Sequence, residues 1–169
     1  MDASELRELQ APLKERYKKE PDAALITLKA RGALGEGLAC KVETGRALAI
    51  AGLHPATGGS GHELCSGDML LEALVACAGV TLKSVAIAFG IEVRSGTVEA
   101  EGEIDFRGTL GVDRETPVGF EEIRVTFTVD ADATQEQLDK LLSVTERYCV
   151  VLQTLRKGVK ADAKLVRGR

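Results

Sequence analysis

The run from Ser66 to Gly90, SGDMLLEALVACAGVTLKSVAIAFG, constrains the fold more than any other part of this chain. Leu70, Leu74, Cys77 and Thr81 recur at spacings of three and four, which puts them on one face of a helix. Met69, Ala73, Ala76, Val80 and Ala88 widen the apolar surface, and only Asp68, Glu72 and Lys83 carry charge. A helix apolar on most of its sides belongs in a protein interior. The interruption by charge argues against a bilayer span, which needs about twenty apolar residues. Ser66 is expected as the N-cap, Asp68 sets negative charge at the helix's positive end, and Gly90 supplies the C-terminal stop. The stretch thus predicts a thiol, Cys77, midway along a central buried helix.

The chain has 169 residues, enough to bury a proper core as one domain with a possible appendage. With no Trp and only 4% aromatics, that core must be built from Leu, Val, Ala and Ile. A net charge of -4 and a pI near 5.3 argue against a nucleic-acid surface. The N-terminal MDASELRELQ lacks the apolar core of a signal peptide. Four cysteines without the paired spacing of secreted frameworks read as reduced thiols, so the cytoplasm is the expected location.

Residues 2–20 read as a helical extension: Asp2 with Glu5 fits a capping box, and Leu6, Leu9, Leu13 and Tyr17 form one stripe. Pro12 kinks this helix or begins a second one. The expected division is an extension over 1–23 and a domain over 24–169. LITLKAR, GLACKVET and RALAIAG are short strand-like runs separated by GALGEG and by Thr44-Gly45, a pattern for an antiparallel meander. The Gly-rich loop 53–65 leads into the central helix. His54, His62 and Cys65 lie in it, but His-x-x-Cys alone is a weak zinc pattern, and no metal is expected.

IEVRSGTVEAEGEIDF and FEEIRVTFTVDA alternate as two strands joined by a loop. Glu92, Arg94, Glu99, Glu101 and Glu103 mark their solvent face. Residues 134–157 return to helical spacing behind a Thr134–Gln137 capping box, as one helix or as two breaking near Tyr148-Cys149. Gly158 ends that segment, and VKADAKLVR reads as a final strand.

Cys77 and Cys149 both lie on apolar helix faces. Buried cysteines on packed helices are more often inert small hydrophobes than catalysts. The words around them change that weighting. DMLLEALVACAGVTL resembles the central-helix motif of the OsmC/Ohr family, the osmotically inducible and organic hydroperoxide resistance proteins. YCVVLQTL is similar to that family's second cysteine motif, Cys-Pro-Val followed by a polar pair and Leu. The resemblance covers roughly residues 24–167 and extends to the order of elements.

What the resemblance implies is an α+β fold, an intertwined homodimer with antiparallel sheets packed on two central helices and the N-terminal extension added. It implies a thiol-dependent peroxidase reducing organic hydroperoxides in the oxidative stress response, with Cys77 as nucleophile and Cys149 as the resolving thiol of a Cys77–Cys149 disulfide. Asp68 stands where the family has a supporting Glu. Arg31, ahead of Arg46, is the candidate for its arginine. No cofactor is bound. An external dithiol, a lipoyl-bearing protein or a small thiol, restores the enzyme, and neither nucleic acid nor membrane is a partner.

The chemistry fits these residue types. A thiolate attacks the O–O bond, and a second thiol traps the sulfenic acid before further oxidation. Val150 replaces the family's proline, which removes one cause of a break at Cys149; if the helix runs straight through, Cys149 loses the benefit of a helix start. The rival reading is a non-catalytic module holding a small hydrophobic ligand on the same scaffold.

Overall fold

Ser66–Phe89 form one helix, α1, and the rest of the described chain is arranged along it. This computed structural model describes residues 2–5, 8, 10, 11, 19, 31–34, 40–43, 48–111 and 113–167. Gly90 ends α1 in the left-handed region at φ 68°, and its N–H reaches back to the carbonyls of Ala86 and Ile87. The start differs from expectation. The N-cap is Cys65, and Ser66 is already helical. Cys65 is the last residue of a two-residue strand and pairs with Gly52, so strand pairing fixes where the helix can begin.

That strand, β4 (Leu64–Cys65), closes a four-stranded sheet with β1 (Arg31–Leu34), β2 (Cys40–Glu43) and β3 (Leu48–Gly52), in the order β1-β2-β3-β4. β1 to β3 form the expected antiparallel meander, and β4 joins parallel to β3. Two residues are too few to show an alternating pattern, so β4 was not legible. β1 runs through Gly32, where a turn was expected. Residues 25–30 and the Thr44-Gly45-Arg46 link lie outside the described residues.

β5 (Val93–Ile104) and β6 (Phe120–Ala131) pair antiparallel over their length, with Val98 opposite Phe127. The alternation holds. Ile123, Val125, Phe127 and Val129 are partly buried, while Glu99, Glu101, Glu103 and Arg124 face water. Arg94 binds Asp130 at 2.5 and 3.1 Å, and Arg124 pairs with Glu103, both on the exposed side. The expected loop between these strands holds a single short helix, α2 (Phe106–Thr109), capped by Asp105.

α3 (Gln135–Tyr148) and α4 (Val150–Lys157) settle the open alternative in favour of two helices. The Thr134–Gln137 capping box forms in both directions. α1 packs against β5 on one side and against α3 and α4 on another. Leu82, Val85, Ala86, Ile91 and Leu141 make one buried cluster, and Leu74, Ala78, Cys149 and Leu152 make the second.

Three expectations are corrected or fall outside view. Residues 158–167 form no strand, and Val159 and Leu165 stand 68% and 98% exposed. No described edge lies beside them, and an extended segment without a neighbour gains no ladder. The charges of α1 sit towards its ends, leaving residues 73–82 uncharged. By length and composition α1 is therefore apolar enough to cross a bilayer, contrary to the expectation, yet it serves as a core helix between a sheet and two helices. At the N-terminus residues 3–5, 8, 10 and 11 are helical, and the Asp2–Glu5 capping box is made at 2.8 and 2.9 Å. Leu6, Leu9, Pro12, Leu13 and Tyr17 lie outside the described residues.

Candidate active site

The site begins with a break in a helix. In an uninterrupted helix each N–H bonds the carbonyl four residues back, so Val150 would reach Glu146 and Val151 would reach Arg147. Cys149 instead takes extended geometry, φ -70° and ψ 105°, and serves both as C-cap of α3 and as N-cap of α4. Its own N–H still bonds the Thr145 carbonyl at 2.9 Å, and its carbonyl accepts from Gln153 N–H at 2.9 Å. The N–H groups of Val150 and Val151 are thereby released. The break occurs without the proline whose absence argued against it.

Those released donors lie at the cluster that holds both sulfurs. Cys77, midway along α1 and partly buried, packs on the cluster that contains the fully buried Cys149. The two sulfurs lie near enough to influence one another, and the Val150 and Val151 N–H groups lie on the side of the Cys77 sulfur. Burial by itself pushes the Cys77 thiol up. The Val151 N–H, the Cys149 thiol, the Val150 N–H and the Thr81 hydroxyl outweigh it, leaving Cys77 below the ordinary thiol value. Cys149 moves the other way, raised first by burial and then by the neighbouring Cys77 sulfur. One thiol is therefore disposed to be the anion and the other to keep its proton. Thr81, one turn beyond Cys77, donates to the Cys77 carbonyl at 2.7 Å and stands beside its sulfur.

An apolar groove of about 470 Å³ opens on the same cluster, with neither sulfur in its lining. Ile123, Val125 and Phe127 of β6 and Leu152 and Leu155 of α4 line it, and all five pack in the cluster that holds both sulfurs. Glu146 and Arg156 sit at its margin as an ion pair at 2.7 Å. A cleft of this size and character suits an apolar tail with a reacting group at one end.

The other residues singled out in the sequence are placed differently. Asp68 is exposed in the first turn of α1. It lies about two and a half turns before Cys77 and on the opposite side of the helix. Arg31 opens β1 opposite Glu43, its side chain lying outside what is described, and Arg46 lies outside the described residues. His54 caps the turn at Pro55–Thr57 through Nδ1, which accepts from Ala56 N–H at 3.1 Å, and its ring stacks on Phe106. His62 is exposed. Among the described residues no three of His, Cys, Asp and Glu gather as metal ligands.

Sequence reasoning missed the backbone donors of Val150 and Val151, the Thr81 hydroxyl and the Glu146–Arg156 pair. Only the (i, i+4) spacing of Thr81 from Cys77 carried a signal for any of them.

A family model described as OsmC-like protein matches residues 59–164. No curated protein matches the chain. The fold is similar to the OsmC-like protein from Mycoplasma pneumoniae, with TM-score 0.66 and 16% identity over 79% of this chain and 89% of that one. It is similar also to an organic hydroperoxide resistance protein from Elizabethkingia anophelis, with TM-score 0.60 and 18% identity over 80% and 91%. The organic hydroperoxide resistance protein OhrB of Bacillus subtilis superposes with TM-score 0.53 and 22% identity over 80% and 94%.

Proposed function

This chain belongs to the OsmC-like protein family, and from that premise we propose that it is a thiol-dependent peroxidase acting on organic hydroperoxides. One observation carries the reading: Cys77 and Cys149 pack in one cluster at the start of α4, in surroundings that lower the first thiol and raise the second. The organic hydroperoxide resistance proteins among the fold's relatives support the choice of oxidant.

The reaction runs as follows. The Cys77 thiolate attacks one peroxide oxygen, the O–O bond breaks, and the alkoxide leaves to take up a proton as the alcohol. Cys77 is then a sulfenic acid. The Cys149 sulfur attacks it, the S–S bond forms, and hydroxide leaves with the Cys149 proton as water. One hydroperoxide and two thiols become one alcohol, one water and one disulfide. An external dithiol, from a lipoyl-bearing protein or a small thiol, reduces the disulfide. The groove along β6 and α4 holds the organic tail, where area burial favours an alkyl group over hydrogen peroxide.

The same proposal includes a homodimer. Only 28% of the most apolar stretch of α1 is buried within one chain, and Val80 is 72% exposed. Ala73, Ala76 and Val80 make a stripe next to Cys77 that a second copy covers. Among the described residues neither edge of the β5–β6 pair has a neighbouring strand, and residues 158–167 would pair with a partner's sheet. Arg31 enters as a supporting residue across that contact, whereas Asp68, on the far side of α1 from Cys77, serves the start of that helix. Residues 1–23 are an extension to the domain, and the cytoplasm is the proposed location.

Adding cumene hydroperoxide to reduced protein and counting thiols by mass spectrometry tests the peroxidase. A Cys77–Cys149 disulfide supports it; an unchanged thiol count, or equal turnover by Cys77→Ser, ends it. The groove also suits the rival, a carrier of a small hydrophobic ligand. A co-purified ligand in a native mass spectrum, together with sluggish thiol oxidation, decides for that reading.

A further inference from the structure

The break between α3 and α4 contains neither glycine nor proline; Arg147, Tyr148, Cys149, Val150 and Val151 run across it. All of these are compatible with a continuous helix. Something else must hold the chain open there. In the continuous helix the Glu146 carbonyl is filled by the Val150 N–H. Here the side-chain amide Nε2 of Gln153 donates to that carbonyl at 2.8 Å, from a partly buried position seven residues on. Gln153 also supplies its own N–H to the Cys149 carbonyl, so one residue fastens both sides of the break. The Arg156–Glu146 pair adds a second tie, but both partners are about half exposed, where such pairs contribute little.

We propose that Gln153 is a positioning residue for the Cys77 thiolate: by taking over the Glu146 carbonyl it keeps the helix broken at Cys149 and leaves the Val150 and Val151 N–H groups on the Cys77 sulfur. A carbonyl stranded at the end of α3 favours resealing the helix, and resealing withdraws both donors from sulfur. Gln153 removes that pull. Its side chain touches neither substrate nor the reacting sulfur, so it acts only through the backbone.

The assignment rests on the reading of Cys77 as the nucleophile, and the experiment separates the two. The rate of iodoacetamide labelling at Cys77 is followed against pH in the reduced full chain, by mass spectrometry of the Cys77 peptide. The wild type is expected to show a midpoint below the ordinary thiol value; an ordinary midpoint overturns the Cys77 reading and this one with it. Gln153→Leu, near in size but unable to donate, is expected to move the midpoint up and to slow labelling near neutral pH by about tenfold, the effect of one pKa unit. Gln153→Lys keeps a donor and is expected to stay near the wild type. Adding Val150→Pro to Gln153→Leu is expected to recover only part of the rate, because proline keeps α3 from extending but carries no N–H, leaving the Val151 donor alone.

A merely structural Gln153 predicts a lower melting temperature with the midpoint unmoved. An acidic wild-type Cys77 whose midpoint is unchanged in Gln153→Leu overturns the inference. Should that variant fail to fold, Gln153→Met, also near in size and unable to donate, decides: a raised midpoint supports the assignment and an unmoved one overturns it.

Discussion

Two helices in this protein begin at a cysteine, and they use their first turns in opposite ways. α1 starts at Cys65 and α4 at Cys149, both N-caps in extended geometry and neither making a side-chain capping bond. The first turn of α1 carries Asp68, which faces the positive end of the helix dipole. The first turn of α4 has no acidic residue, and its free N–H groups lie towards the two sulfurs, Val150 and Val151 by Cys77 and Val151 and Leu152 by Cys149. The lesson concerns what a helix N-terminus is left to satisfy. Where sequence provides a carboxylate, the helix start is a structural matter. Where none is provided and a thiol is packed against it, the same donors become a means of stabilising negative charge on sulfur.

Removing each sulfur gives the largest expected contrast. Cys77→Ser is expected to abolish hydroperoxide consumption, measured by a peroxide assay with dithiol present, whereas Cys65→Ser leaves it within twofold. Equal losses would erase the distinction between the two helix starts. Cys149→Ser is expected to stall at the Cys77 sulfenic acid, which a second equivalent of peroxide carries on to sulfinic acid in the intact mass. Continued turnover by that variant assigns resolution to another thiol.

The pH dependence is the next sharper test. Because Cys77 is lowered, its alkylation rate should hold as pH falls from the ordinary thiol range and drop only on passing through the lowered value. Cys149, raised, should label only at more alkaline pH and slowly. A reversed order would give the α4 donors to the wrong sulfur.

Asp68→Asn is the smallest effect. Removing a charge from an exposed helix start costs about 0.3–1 kcal/mol in stability, read by denaturant melting, with Cys77 labelling unchanged. A tenfold loss of labelling with the fold intact would instead place Asp68 in the thiolate's surroundings.

Much of the architecture was written in local patterns. The periodicity of Ser66–Gly90 marked a core helix, the alternation in β5 and β6 marked their buried face, and the Thr134–Gln137 pair marked the start of α3. Each of these depends on residues within a few positions of one another. Segments that need a distant neighbour were read less well. β4 exists because β3 lies beside it, and residues 158–167 have strand-like composition but no described edge to pair with.

The candidate site divides along the same line. Sequence by itself determined which residues could be chemical: two cysteines on apolar helix faces, in words that resemble one family. Only the tertiary structure brought them into one cluster and gave them opposite surroundings. That choice depends on backbone N–H groups freed at a break that no glycine or proline announces. Such donors have no signature in the amino-acid sequence, because every non-proline residue carries one and only the fold determines whether it is already in use.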